Sequence, residues 1–325
     1  MNLIDQFQRH LNYLRVSITD RCNLRCIYCR TGPAVFQMLH HSDILSYEEI
    51  LRIIKSAIPM GVNKVRITGG EPLIRKGVFS FLQELTSITG IEDISFTSNG
   101  ILLERHIQDI IDAGIHRINI SLDTLNPEKY QTITGSNRWH QVWRGLIAAL
   151  EAELKPIKLN VVAMNGINDD EWSALAQLTQ KYPFWVRFIE LMPVGHSDLY
   201  ARQWVSADTI KKKIENHFGP LVPVQRNVHD GPAARFKLDS GLGEIGFIHA
   251  ISNHFCQTCN RIRLTANGHL RACLLSDKTI DMRTPMRNGC TDSDIQDLLK
   301  AAVKLKPRSY INQINVADQM VRIGG

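Results

Sequence analysis

The sequence predicts an α/β fold: an open partial (βα)6 barrel with a smaller C-terminal α+β region. Three observations predict it. From residue 14 to about residue 192, short β-rich runs alternate with helical patterns, the spacing of a parallel sheet with right-handed crossovers. Those strand–helix units number six, two short of the eight that close a barrel. Beyond about residue 200 the regular alternation stops, and short strands with a hairpin signal take over. A chain of 325 residues suits one large domain or two unequal ones. We expect a barrel over residues 1–200 and a second region over 201–325. A doubly wound sheet is the alternative for the first.

The expected strands are Leu14–Thr19, Lys64–Thr68, Ile94–Ser98, Arg117–Leu122, Ile157–Ala163 and Trp185–Leu191, all rich in residues that favour a pleated, half-buried surface. Between them lie helical patterns at Ser46–Pro59, Gly77–Thr89, Leu102–Ala113, Arg138–Glu153 and Asp170–Lys181. Ser46 followed by Glu49 forms a capping box at the first. In the second region a helix at Ala207–His217 precedes strands at Leu221–Gln225, Ala234–Leu238, Glu244–His249, Arg261–Thr265 and His269–Cys273. Ala266-Asn267-Gly268 reads as the turn between the last two. A helix at Ser293–Lys304 and a polar tail ending Gly324-Gly325 complete the chain.

Net charge is +6. That excess is scattered and too small to argue for nucleic acid. The N-terminus has no apolar signal region and no window is apolar enough to span a bilayer, so we expect a cytoplasmic protein with no membrane partner. Seven cysteines are present, and six stand in two tight groups. Clustered thiols without an export signal point to metal rather than to a disulfide framework.

Cys22-x-x-x-Cys26-x-x-Cys29 follows the first strand directly. Three thiolates on one loop can hold three irons of a four-iron cluster and leave the fourth open. Structural zinc wants four ligands, commonly in paired CxxC spacing. Here only three lie together, and the next candidates are His40 and His41. Iron is therefore favoured over zinc.

The later strands end in small or polar residues: Thr68-Gly69-Gly70-Glu71-Pro72, Thr97-Ser98-Asn99-Gly100, Ser121-Leu122-Asp123 and Glu190-Leu191-Met192-Pro193. In parallel α/β folds ligands gather at the C-terminal ends of strands. Paired glycines allow close approach, and a neighbouring carboxylate can accept from an ammonium. Basic residues also alternate with apolar ones inside the strands. Arg15 shares a face with Ser17, Lys64 and Arg66 share one with Thr68, Lys158 shares one with Asn160, and Arg187 lies in the sixth strand. If the apolar faces pack on helices, these cations line the barrel interior and need an anion such as a triphosphate. The plainer reading of any single one is a solvated edge position.

Cys256-x-x-Cys259 and Cys273 form the second trio. By spacing alone it is as much a zinc as an iron site, with His254, His269 or Cys290 as a fourth ligand. The first trio favours iron. Arg261 and Arg263 lie on one strand face beside it, and their planar guanidinium groups suit phosphate or a purine edge. Competing readings are a radical peptide-modifying enzyme and a two-zinc binding module. The first usually carries more C-terminal cysteines, and the second would contain zinc without iron.

The first trio, with Tyr28 between its last two cysteines, resembles the radical S-adenosylmethionine superfamily. The stretch Ser252 to Ala266, together with TGGEPLIRKGV, SLDTLNPEKYQTITG, KLNVVAMNGINDDE, RFIELMPVG and the terminal Ile323-Gly324-Gly325, resembles the GTP 3′,8-cyclases of molybdenum-cofactor biosynthesis over essentially the whole chain. The resemblance implies two four-iron, four-sulfur clusters, on Cys22, Cys26 and Cys29 and on Cys256, Cys259 and Cys273. It implies S-adenosylmethionine at Tyr28, Gly70, Glu71, Thr97, Ser121 and Met192. It implies GTP at Arg15, Lys64, Arg66, Lys158, Arg187, Arg261 and Arg263, the second region supplying the auxiliary cluster and part of the GTP site. Gly324 and Gly325 would act in catalysis. The product would be 3′,8-cyclo-7,8-dihydro-GTP, passed to a separate cyclic pyranopterin monophosphate synthase. An electron donor is implied, and a homodimer is left open. Two departures from the family pattern stand out: Arg30-Thr31-Gly32-Pro33 after the third cysteine, and Val321 in the tail.

Overall fold

The computed structural model describes residues 2–30, 37–195, 198–225, 231–310, 316 and 318–324. In chain order the elements are β1 (Tyr13–Ser17), α1 (Tyr47–Ala57), β2 (Lys64–Thr68), α2 (Val78–Thr86), β3 (Asp93–Ser98), α3 (Leu103–Asp112), β4 (Ile118–Ser121), α4 (Pro127–Thr134), α5 (Trp139–Glu151), β5 (Ile157–Ala163), α6 (Trp172–Lys181) and β6 (Trp185–Glu190). There follow α7 (Leu199–Gln203), α8 (Ala207–Phe218), β7 (Val222–Pro223), β8 (Ala234–Lys237), β9 (Glu244–Ile248), β10 (Arg261–Leu264), β11 (His269–Arg271), β12 (Thr279–Asp281), α9 (Arg283–Arg287), α10 (Asp292–Lys304) and α11 (Met320–Ile323).

All strands belong to one sheet in the order β12-β11-β10-β1-β2-β3-β4-β5-β6-β9-β8-β7. The six expected strands pair in parallel, in sequence. The second region then extends the sheet at both edges. β9 joins β6 and β10 joins β1, each in parallel, and antiparallel hairpins carry the sheet outward from there. The terminal strands β12 and β7 do not pair, so the barrel is open. None of its helices is long and apolar enough to cross a membrane, among the described residues.

Alternation within the strands separates two environments. Leu14, Val16, Val65 and Ile67 are fully buried in the main core with Ile50, Ile53 and Ile54 of α1. Each contributes about 1.5–3 kcal/mol by leaving water. Arg15, Lys64 and Arg66 occupy the intervening positions and face the interior of the curved sheet. The capping box at α1 is present: Ser46 accepts from the Glu49 N–H, and Glu49 accepts from the Ser46 N–H at 2.7 Å. The turn between β10 and β11 lies at Ala266-Asn267-Gly268, as expected.

Several elements were not expected. Asn126 caps α4 by accepting from the N–H groups of Glu128 and Lys129, with Pro127 at the first helical position. The tail is a short buried helix rather than a polar extension. Val321 and Ile323 of α11 are each about 1% exposed, and Ile323 joins a small apolar cluster with Val194, Leu275 and Tyr310, against which Met192, Cys256 and Cys273 pack.

Candidate active site

The loop from β1 to α1 carries Cys22, Cys26 and Cys29, all half-buried with free thiols. A turn closes Cys29 N–H onto the Cys26 carbonyl at 2.9 Å, and the Leu24 N–H points at the Cys22 sulfur at 3.4 Å. Burial raises all three thiols; Glu71 adds to it at Cys22, and the neighbouring cysteines and Asp123 add to it at Cys26 and at Cys29, which reaches about 12. Three thiols that resist ionising together need a strong local cation, and an iron cluster supplies one.

Strand ends lock around this loop. Gly70 packs so tightly under it that a β-carbon there would overlap the Arg21 carbonyl. Its N–H donates to the Thr19 carbonyl at 2.6 Å. The close approach that Gly70 permits is thus to the chain's own backbone. Glu71 is fully buried and accepts from the Leu73 N–H, the Ser98 hydroxyl and the Asn99 N–H at 2.7–3.1 Å. Burial still lifts its pKa to about 7. Asn99 in turn donates to Asn23 at 2.7 Å and points at the Cys22 sulfur at 3.8 Å. Glu71 therefore ties the end of β3 to the cysteine loop, a role the sequence did not suggest.

Tyr28 donates to Asp123 at 2.7 Å, and Asp123 accepts from the Val162 N–H at 2.8 Å. Burial raises Asp123 to about 6. Tyr28 and Met192 line one pocket together with Leu191, Val194 and Tyr200. Thr97 and Ser121 are half-buried on neighbouring strands, and the Thr97 hydroxyl lacks a hydrogen-bond partner among the described residues. Gly324 reaches the same end of the sheet. Its φ is +80°, and a β-carbon there would come within 2.8 Å of Ser17 and 3.0 Å of Thr68. Gly325 and Thr31-Gly32-Pro33 lie outside the described residues.

Behind this mouth the interior is cationic. Register places Arg263, Arg15 and Arg66 side by side on β10, β1 and β2. Arg261, Tyr13 and Lys64 form the next row, two residues nearer the strand starts. Arg66 donates to Ser95 at 3.0 Å, and buried Arg187 donates to Asn119 and Asn160 at 2.6 and 2.5 Å. Lys64 pairs with Asp93 at 2.5 Å, which also holds Arg117 at 2.7 Å. Among the described residues, no carboxylate pairs with Arg66, Lys158, Arg187, Arg261 or Arg263. Burial and the neighbouring cations lower Lys158 to about 6, Arg187 to about 9 and Arg15 well below its ordinary value. Burial raises the Tyr13 phenol, but Arg66, Arg15, Arg261 and Lys64 together outweigh it. Lys158, Arg187, Trp185 and Arg235 line a second pocket at the strand starts. Lys158 and Arg235 each lie 4.4 Å from the Trp185 ring. Neither Asn119, Tyr13, Asp93 nor Trp185 was singled out from sequence. Their signal was only the inward phase shared with the basic positions.

Cys256, Cys259 and Cys273 form the second trio. Cys259 precedes the start of β10, and Cys273 follows β11, which runs antiparallel to β10. The first trio follows the end of β1, which is parallel to β10. The two trios therefore lie at opposite ends of the strands, separated by on the order of 13 Å of strand, with the basic rows between. Burial raises Cys259, but Lys306, Arg261 and Arg263 outweigh it and bring its pKa down to about 7. Cys259 is therefore suited to bind a metal as a thiolate, whereas burial raises the Cys256 thiol. Cys290 sits apart, packed against the main core, its carbonyl accepting from Arg52 at 2.6 Å.

A partial barrel with a three-cysteine loop after its first strand defines a radical S-adenosylmethionine enzyme. Residues 16–179 match the Radical SAM superfamily model, and residues 184–311 match Molybdenum Cofactor Synthesis C. The GTP 3′,8-cyclase of Thermodesulfovibrio yellowstonii is 44% identical over 321 residues, covering 99% of both chains. That of Heliobacterium modesticaldum is 48% identical, covering 95% of this chain and 94% of its own. The chain belongs to the GTP 3′,8-cyclase family. Among solved structures, Streptococcus suis SuiB bound to S-adenosylmethionine matches with TM-score 0.62 at 13% identity, over 96% of this chain and 76% of that one. Native anSMEcpe with bound AdoMet gives 0.59 at 13%, over 96% and 87%. These two likenesses show the fold. Membership of the superfamily implies a four-iron cluster and S-adenosylmethionine, and the first trio fits that cluster.

Proposed function

We propose that this chain cyclises GTP to 3′,8-cyclo-7,8-dihydro-GTP, the first step of molybdenum-cofactor biosynthesis. The carrying observation is a cationic chamber enclosed between two cysteine trios at opposite ends of one barrel. When bound, the cluster on Cys22, Cys26 and Cys29 together with S-adenosylmethionine supplies a 5′-deoxyadenosyl radical that takes the ribose 3′ hydrogen of GTP. The remaining work falls to the protein. Tyr28 and Met192 border the space for the adenosyl group, with Gly70, Glu71, Thr97 and Ser121 completing that end. Glu71 acts by fixing the Ser98-Asn99 strand end against the cysteine loop. Arg15, Lys64, Arg66, Lys158 and Arg187 hold the triphosphate, and Arg261 and Arg263 orient the nucleotide beside a second cluster on Cys256, Cys259 and Cys273. A guanine held at that end leaves its ribose facing the first.

The division of labour follows the chain: residues 1–200 generate the radical, and residues 201–325 bind GTP and the auxiliary cluster. Gly324 brings its backbone to the mouth of the chamber, and Gly324 and Gly325 act in catalysis. The enzyme works in the cytoplasm with an electron donor, and a separate cyclic pyranopterin monophosphate synthase takes its product. Anaerobic incubation with dithionite, S-adenosylmethionine and each of GTP, ATP and a peptide extract tests the reading by mass spectrometry. Only GTP should be consumed, with release of 5′-deoxyadenosine. Conversion of a peptide with GTP untouched would overturn it.

A further inference from the structure

The second trio is braced by two buried cations from opposite ends of the chain. Lys306, two residues beyond α10 and 2% exposed, donates from Nζ to the carbonyls of Arg261 at 2.7 Å and Ala272 at 2.8 Å. Those carbonyls lie two residues after Cys259 and one before Cys273. Arg9, 7% exposed, donates from Nη1 to the carbonyl of Cys256 itself at 2.6 Å and from Nη2 to Pro307 at 2.7 Å. Its Nε is held by Asp5 at 2.6 Å, and Asp5 also accepts from the N–H groups of Phe7 and Arg9. Each of the three ligand segments is thus tied to a cation, and Pro307 ties the cations to each other.

The two cations differ in one respect. Arg9 has a carboxylate partner in Asp5. Lys306 has none among the described residues, and two of its three protons go to neutral carbonyls. Burying an ammonium costs several kcal/mol unless an opposite charge compensates it. A neutral donor would bridge two carbonyls without that cost. The anionic groups on which the Lys306 charge acts are the thiolate forms of Cys259 and Cys273.

We propose that Lys306 is a positioning residue whose charge sets the reduction equilibrium of the second cluster. This rests on the reading that the second trio holds a four-iron cluster. The couple is one electron added to that cluster from an external low-potential donor, with no bond made or broken. A cation beside the thiolates favours the reduced, more negative form. Lys306 would then hold the cluster's potential high enough for the electron to settle there.

The test uses the full chain with Cys22, Cys26 and Cys29 all changed to Ser, so that any cluster belongs to the second trio. Iron and sulfide analysis comes first, then a dithionite titration followed by electron paramagnetic resonance. Lys306→Gln keeps two donors for the two carbonyls but removes the charge, Lys306→Arg keeps the charge, and Lys306→Met removes both. The parent should bind about four irons. Lys306→Gln should keep them while its reduction equilibrium falls at least tenfold, a shift of about 59 mV to lower potential, and Lys306→Arg should restore it. An unchanged potential in Lys306→Gln overturns the proposal and leaves Lys306 a strut, whatever Lys306→Met does. A parent without iron refutes the second cluster itself, a result separate from the first.

Discussion

Binding of the triphosphate should draw a proton into the chamber, and Lys158 is where it lands. Burial, then Arg187, Arg117, Arg66 and Lys64, hold Lys158 near 6. At about pH 8 that leaves on the order of one molecule in a hundred charged. A bound triphosphate reverses the local field and favours the ammonium. Binding therefore carries proton uptake, and affinity falls as pH rises. The sign follows from a pKa that is low before binding and high after it. The fall is about tenfold per pH unit, so from about pH 7 to about pH 8.5 it reaches roughly thirtyfold, or ~2 kcal/mol. Arg187 near 9 and Arg263 near 10 remain largely charged in that window, and a phosphate second ionisation near about 6 is already complete. Anaerobic titration calorimetry with GTP, repeated in two buffers of different protonation heat, counts the protons directly. Lys158→Ala should bind GTP about ten- to a hundredfold more weakly near neutrality, the loss of a charge-assisted bond of roughly 1.5–3 kcal/mol, and should lose the pH slope. A flat affinity with no proton uptake in the unaltered enzyme would show that Lys158 does not face the triphosphate.

Further outcomes follow from the same geometry. Anaerobic reconstitution should give about eight irons per chain, and changing Cys22, Cys26 and Cys29 to Ala should leave about half; zinc in place of iron would end the two-cluster reading. Cys290→Ser should retain both clusters and full turnover, because Cys290 packs against the main core whereas Cys256 and Cys273 pack against a separate apolar cluster; loss of the second cluster's spectrum would put Cys290 among its ligands. Deleting Gly324 and Gly325 should cut cyclisation at least about tenfold, ~1.4 kcal/mol of barrier, with cluster content and melting temperature nearly unchanged. Gly324→Ala should be impaired too, since Ser17 and Thr68 leave no room for a β-carbon at φ +80°; full activity in either variant would reduce the tail to packing.

The legible part of the fold was the part written in local pattern. Lys64–Thr68 and Ile157–Ala163 match their expected bounds because buried apolar residues alternate with Lys64 and Arg66 in the one and with Lys158 and Asn160 in the other. Ser46 and Glu49 announced α1 because a capping box is a contact within four residues. α4 carries an equally local signal, Asn126 before Pro127. β12, α9 and α11 are only three to five residues long, too short for a period to emerge. The buried tail helix is held by residues far away in sequence.

By itself the sequence determined the cysteine trios, the inward phase of Arg15, Lys64, Arg66 and Lys158, and the family to which they belong. Each depends on residue identity at short range, where spacing and side-chain alternation act. Only the tertiary structure decided that β9 and β10 extend the barrel at opposite edges, and hence that the trios face each other along the strands with the cations between. The same holds for Glu71 locking a strand end, and for Arg9 and Lys306 meeting at the second trio across 247 and 45 residues respectively. Those contacts form because burial of the whole sheet brings distant segments together, and a buried donor or charge must then find whatever partner that packing places beside it.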